Sequence, residues 1–261
     1  MEMKNGSQYC VETLSYLIEQ DSRAGRLSNY LNNSEITPDM RNKAVSYIMK
    51  VGEQEGIEIE AAQTAVIILD RFLEKVGTKP TVLRLVSIVS LLIAQKFQGP
   101  MKITVNQVFT LTGGRYSVND IKLIELFVLQ KLNWKLNAPT VGELTRLLLE
   151  ITGLNYDFSK IIERANAFGM VCYADYNLSQ FLQVEISIAS LVCALEQLGQ
   201  INFRNQWLRM LRSKLNLGLQ GADVCKRSLV EKLLSETPEY DHCKLECLRR
   251  NNIIDVSDHK D

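Results

Sequence analysis

Two pairs of opposite charges stand where charge is least expected. Lys96 follows closely on an apolar run, Leu85 to Ala94, that has no ionisable residue, and Glu125 interrupts the other strongly apolar helical stretch. Arg41 and Asp70 lie in patterns that otherwise read as core. An ionised group withdrawn from water is tolerated when it is paired and hydrogen-bonded. The plain alternative is a long side chain that reaches solvent and meets nothing. The chemistry on offer is therefore recognition by charge-assisted hydrogen bonds. Catalysis finds no support. Both histidines lie in the last twenty residues, and no glycine-rich phosphate loop, G-x-S-x-G turn or H-E-x-x-H helix is present. His242, Cys243, Cys247 and His259 match no zinc spacing, so neither a metal nor a cofactor is expected.

The elements that carry these charges are helical. Thr81 to Phe97 is apolar on every side, which predicts a helix buried in a protein core. Arg84 and Lys96 bound it too closely for a membrane span of about 20 apolar residues. Ser87-Ile88-Val89-Ser90-Leu91-Leu92-Ile93-Ala94 recurs 100 residues later as Ser187-Ile188-Ala189-Ser190-Leu191-Val192-Cys193-Ala194. Pro38 and Pro139 each open a helical pattern, at nearly the same offset. Two copies of one helical unit of roughly 100 residues follow.

Within the first copy, helices are expected from Pro38 to about Glu53, Glu58 to Lys75, Thr81 to Phe97, Val105 to Leu111 and Ser117 to Leu132. Thr37 and Ser117 serve as caps, and Gly77 to Pro80 forms a turn. The second copy has helices over Thr140–Thr152, Phe158–Asn177, Val184–Leu198, Trp207–Leu215 and Asp223–Leu234. The fold class is all-α: tandem five-helix units preceded by a short N-terminal helix. The divisions are 1–37 (helix and linker), 38–137, 138–236, and a polar tail, 237–261, in which Thr237-Pro238 is a candidate phosphorylation site.

Hydrophobic residues make up 46% of the 261, enough for a sizeable core, and 30 basic residues balance 30 acidic ones. No net field steers such a chain to nucleic acid or to an acidic membrane. Six scattered cysteines form no disulfide framework, and the opening MEMKNGSQYC has no apolar signal region. An intracellular protein, in nucleus and cytoplasm, is expected.

The order Met40-Arg41, Leu69-Asp70-Arg71-Phe72-Leu73, Leu85, Ala94-Gln95-Lys96-Phe97, Glu125 and Leu129-Gln130-Lys131-Leu132-Asn133-Trp134-Lys135-Leu136, then Ala138-Pro139-Thr140, resembles the cyclin box. The match covers about residues 38 to 141. The flavour is nearest the D-type group, through Leu132 to Leu136 and Phe168 to Asp175. The resemblance implies tandem cyclin folds and a regulatory subunit that binds and activates a cyclin-dependent protein kinase in cell-cycle control. It implies that Arg41 pairs with Asp70 and that Leu85 is structural. It gives Lys96 and Glu125 the polar part of a kinase-binding face, with Ile93, Phe97, Leu129, Trp134 and Leu136 as its apolar part. Substrate or inhibitor proteins are the further partners that it implies.

There are departures from the family pattern. Gln98-Gly99 replaces paired glutamates after Phe97, and Tyr47 replaces a tryptophan. The substrate-docking patch is degenerate, with Met40, Lys43, Ala44 and Tyr47 placing a charge where an apolar grip belongs. The alternative function is a cyclin-like transcription factor that binds DNA and polymerase; zero net charge and the lack of a zinc ribbon argue against it.

Overall fold

The computed structural model describes residues 2–27, 29–32 and 34–236, with side chains from residue 8. Among the described residues the regular secondary structure is helical throughout, without a strand. The helices are α1 (Glu2–Ala24), α2 (Pro38–Gln54), α3 (Ile59–Lys75), α4 (Pro80–Gln98), α5 (Val105–Leu111), α6 (Val118–Lys131), α7 (Val141–Glu150), α8 (Ser159–Ala174), α9 (Gln183–Gln197), α10 (Ile201–Leu215) and α11 (Gln220–Glu236). A 3-10 turn covers Leu178–Gln180. The candidate sites at Thr237, His242, Cys243, Cys247 and His259 lie outside the described residues.

The chain forms two compact units. The first comprises residues 27–138 and 173–180; the second comprises 2–26, 139–172 and 181–236. In the first, α4 is the axis, with α2, α3, α5 and α6 packed against it. Its residues from Leu85 to Gln95 are buried. Two serines belong there because their hydroxyls are satisfied within the helix: Ser87 donates to Leu83 O (2.7 Å) and Ser90 to Val86 O (2.9 Å). Length and composition alone would let α4 cross a membrane, but 67% of its apolar window is buried inside the protein. Pro80 sits in its first turn, where the missing N–H costs nothing.

The neighbours α2, α5 and α6 start where capping chemistry dictates. Thr37 accepts from Met40 N at the head of α2. Thr104 with Gln107 and Ser117 with Asp120 form capping boxes for α5 and α6. The Ser117 hydrogen bonds lower the Asp120 carboxyl below its ordinary range.

In the second unit α9 has the same place, packed by α7, α10 and α11, with α1 against α7, α9 and α10. Ser187 repeats the Ser87 bond, donating to Gln183 O at 2.7 Å. Gly169 of α8 lets α7 approach: a Cβ there would lie 2.7 Å from a Val141 methyl.

Several boundaries differ from the sequence expectation, each for a local reason. The N-terminal helix is not short, since α1 runs 23 residues to Ala24. Pro139 stays outside α7, because Thr140 is the cap that accepts from Glu143 N. The α8 helix stops at Ala174, where the Asp175 carboxylate takes the N–H groups of Asn177 and Leu178 in an Asx turn. The α10 helix starts at Ile201, not Trp207. Its buried face includes Arg204, and a charge at a core position hides the apolar period.

Candidate partner-binding site

Lys96 occupies the last turn of α4, where a cation complements the negative end of the helix dipole. Glu125 lies midway along α6. The two helices pack side by side, and Lys96 Nζ stands 2.6 Å from Glu125 Oε1. The pair lies at the surface: 37% of the lysine side chain and 13% of the glutamate side chain remain accessible.

Apolar side chains on and just after the same two helices are exposed or half-buried. Phe97, next to Lys96, is 49% exposed, and Trp134 is 63% exposed. Leu129 and Leu136 are half-buried. Trp134 is held outward by its backbone. Both Asn133 (φ 51°) and Trp134 (φ 59°) lie in the left-handed region, which a bulky side chain rarely adopts. The Trp134 N–H then donates to Leu129 O (2.9 Å) and closes the end of α6.

Ile93 does not belong to this surface. It is 2% exposed, one turn before Phe97 on the face of α4 that faces the core. Its assignment to the kinase-binding face is corrected: Ile93 supports the site from beneath. Gln98 also turns inward, donating to Thr64 Oγ1 of α3 (2.6 Å).

Sequence reasoning missed part of the patch. Leu123 (64% exposed), Leu126 and Phe127 lie on the outer side of α6, with Phe127 edge-on to Phe72 at 5.9 Å. The signal was there. Of the fourteen residues of α6 eight are apolar, yet only Ile121 and Val128 are buried. A helix with far more apolar residues than its buried stripe needs has a second apolar face.

Arg41 and Asp70 meet in the core of the first unit and tie α2 to α3. The guanidinium donates twice to the carboxylate, Nε to Oδ1 at 2.9 Å and Nη2 to Oδ2 at 2.5 Å. Its third arm reaches Tyr173 O, also at 2.5 Å. Tyr30, absent from the sequence reading, donates its hydroxyl to Asp70 Oδ1 at 2.6 Å and stacks on Tyr176. Burial and the charge of Asp70 raise the Tyr30 hydroxyl above its ordinary range. Leu85 is buried in α4.

The Met40, Lys43, Ala44 and Tyr47 set lies on α2. Ala44 is buried, and Lys43 is paired with Asp39 at 2.7 Å. Arg84 covers one face of the Tyr47 ring at 4.5 Å, and both side chains bond to Leu111 O.

The second unit holds a counterpart of the Lys96–Glu125 pair with the signs exchanged. By the offset of the repeat, about 100 residues, Glu196 of α9 corresponds to Lys96 of α4 and Lys226 of α11 to Glu125 of α6. Lys226 Nζ is 2.8 Å from the Glu196 carboxylate, and Arg204 also pairs with it. This cluster is buried; burial raises the Glu196 carboxyl although both cations oppose the shift.

Comparison with known proteins gives the family of this part of the chain. Residues 12–137 match the family "Cyclin, N-terminal domain". Human G1/S-specific cyclin-D3 is 27% identical over 201 residues, 76% of this chain and 68% of that protein. Residues 12–137 of the chain are a cyclin box. Mouse G1/S-specific cyclin-D2 is 27% identical over 172 residues, covering 64% of this chain and 60% of the relative. G2/mitotic-specific cyclin-B2 of Rana japonica is 25% identical, covering 74% and 48%. A viral cyclin from herpesvirus saimiri has the same fold, with a TM-score of 0.73 at 18% identity over 85% of this chain and 96% of that one. A chain of the CAK complex of Chaetomium thermophilum aligns at 0.52, with 16% identity over 94% and 87%. Within the cyclin box, α4 and α6 present the charged pair and the exposed apolar side chains.

Proposed function

We propose that this cyclin-box protein is a non-catalytic regulatory subunit that binds and activates a cyclin-dependent protein kinase in cell-cycle control. The observation that carries the reading is the surface ion pair Lys96–Glu125 set among the exposed Phe97, Leu126 and Trp134. Aromatic and aliphatic anchors beside charge-assisted hydrogen bonds are what a stable protein interface needs. The relatives named as G1/S and mitotic cyclins support it. In this mechanism the cyclin box supplies no reacting group. Lys96 and Glu125 hydrogen-bond a mobile helix of the kinase while Phe97, Leu129, Trp134 and Leu136 bury its apolar side. The ordered helix brings its glutamate onto the lysine that positions ATP.

The test is retention of cyclin-dependent kinases by the wild type and by Lys96→Ala/Glu125→Ala, followed by a kinase assay on the retained material. Wild type is expected to retain and activate a kinase, and the double variant to lose at least about tenfold in affinity. Retention without activation would make the chain an inhibitory binder, and no retention would remove the kinase reading.

A further inference from the structure

Three buried polar atoms of the second unit have no hydrogen-bond partner in the protein. They are Thr145 Oγ1 of α7, Asn166 Oδ1 of α8 and Ser190 Oγ of α9. Thr145 and Ser190 are wholly buried, and Asn166 is 9% exposed. The fold brings their helices together at one place. A Cβ on Gly169 of α8 would lie 2.7 Å from a Val141 methyl of α7 and 3.8 Å from Ser190 Oγ of α9. The start of α7 therefore lies against the late part of α8, while residues 151–158 join the end of α7 to the start of α8. The two helices run antiparallel. Thr145 is one turn beyond Val141, and Asn166 is nearly one turn before Gly169, so both are displaced the same way, by roughly 5 Å. Thr145 and Asn166 thus share one level of the contact, with Ser190 at the level beside it.

The first unit is apolar at the matching positions. At the 100-residue offset of the repeat they are Val45, Val66 and Ser90. Both valines are buried, and Ser90 closes its own bond on Val86 O at 2.9 Å. A serine within a helix is commonly satisfied in this way, by the carbonyl four residues earlier. Ser187 of α9 does the same, but Ser190 does not. A polar atom taken out of water without a partner costs free energy, and native cores keep few of them. Three such atoms, reaching one place from three helices, make a set of ligands.

We propose that Thr145, Asn166 and Ser190 hold a buried water molecule between α7, α8 and α9. The donor and acceptor count closes. The oxygen of Asn166 only accepts, so the water donates one proton to it. Its second proton goes to one hydroxyl, and the other hydroxyl donates to the water oxygen. Three bonds are the usual number for a buried water. A divalent cation is a poor occupant, because the three ligands are neutral and bring no carboxylate. An apolar molecule would leave all three unpartnered.

The test is oxygen-17 relaxation dispersion of water in a solution of the full chain. It responds to water held inside the protein and is blind to exchange of hydroxyl protons. The variant is Thr145→Val/Asn166→Val/Ser190→Ala, in which the two valines are the residues of the first unit. Its dispersion amplitude is expected to fall below wild type by the share of about one water. Thr145→Ser keeps the hydroxyl and should keep the amplitude. Thr145→Val alone, which preserves the side-chain shape, serves if circular dichroism shows the triple variant unfolded, and is expected to lower the amplitude too. A crystal structure of the wild type is the second readout, with one ordered water expected at about 2.7–3.2 Å from all three groups. The proposal is overturned if the folded variant keeps the full amplitude. It is equally overturned if the crystal shows the three side chains bonded to one another or to the backbone with no water between them. The inference does not rest on the kinase reading.

Discussion

Arg41 stays charged inside the first unit because most of its donors have acceptors. Two go to Asp70, one to Tyr173 O, and Asp70 receives Tyr30 besides. Burial works against the guanidinium charge, but the Asp70 carboxylate outweighs it and raises the group above its ordinary value. Removing one partner leaves the other buried and uncompensated. Asp70→Asn is therefore expected to cost about 3–5 kcal/mol, read from the urea midpoint at constant slope. Tyr30 gives a pH prediction. Its hydroxyl is raised in the folded state, so above about pH 10 the unfolded chain loses this proton and the folded chain keeps it. Stability must then fall as pH rises, by linkage. Tyr30→Phe should lose about 1–3 kcal/mol at neutral pH and show a shallower alkaline fall, seen in melts across pH 8 to 11 (roughly, bracketing the tyrosine range). Arg41 and Asp70 were legible as a buried pair through the family pattern. Tyr30 was not, because a lone tyrosine in a polar linker has no period that declares its partner.

At the scale of the element, α4 and α6 divide the work. The α4 helix is apolar on all sides from Leu85 to Ala94 and is spent on the core, so it is exposed at its two ends, at Pro80, Thr81 and Arg84 in the first turns and at Lys96, Phe97 and Gln98 in the last. The α6 helix buries a narrow stripe and leaves Leu123, Leu126 and Phe127 outside. If that second face serves a partner, charge on it should spare the fold. Leu123→Lys/Leu126→Lys is expected to keep its unfolding free energy, read from urea melts, within about 0.5 kcal/mol of wild type while reducing kinase retention. A matching loss of stability would instead place these leucines in the protein's own packing. Helix existence was legible almost everywhere, because the 3.6-residue apolar period is a local property. Ends were less so. The start of α10 was hidden by Arg204, whose charge is neutralised by Glu196, a neighbour on another helix.

On the scale of the whole molecule, the chain repeats one plan with different surfaces. Its two axial helices, α4 and α9, share a serine that bonds back to the fourth residue before it. The repeated charge pair lies at the surface in one unit and is buried, with its signs exchanged, in the other. Sequence division and compact unit also differ in membership. Residues 173–180 complete the first unit, supplying Tyr173 O to Arg41 and the Tyr176 hydroxyl to Leu31 N. A fragment of residues 27–138 should thus be less stable than one that keeps this segment, by about 1–3 kcal/mol for each lost buried bond. Comparing the urea midpoints of the two would check it. The sequence by itself determined the helices, the duplication, the buried axis and the residues of the cyclin box, since each depends on residue type and spacing along the chain. Tertiary structure alone decided that Ile93 faces inward while Leu123 and Leu126 face out. It also decided that Tyr30 completes the Arg41–Asp70 pair and that Arg84 closes over Tyr47. Those outcomes depend on which neighbours a side chain meets across helices, and no one-dimensional pattern carries that information.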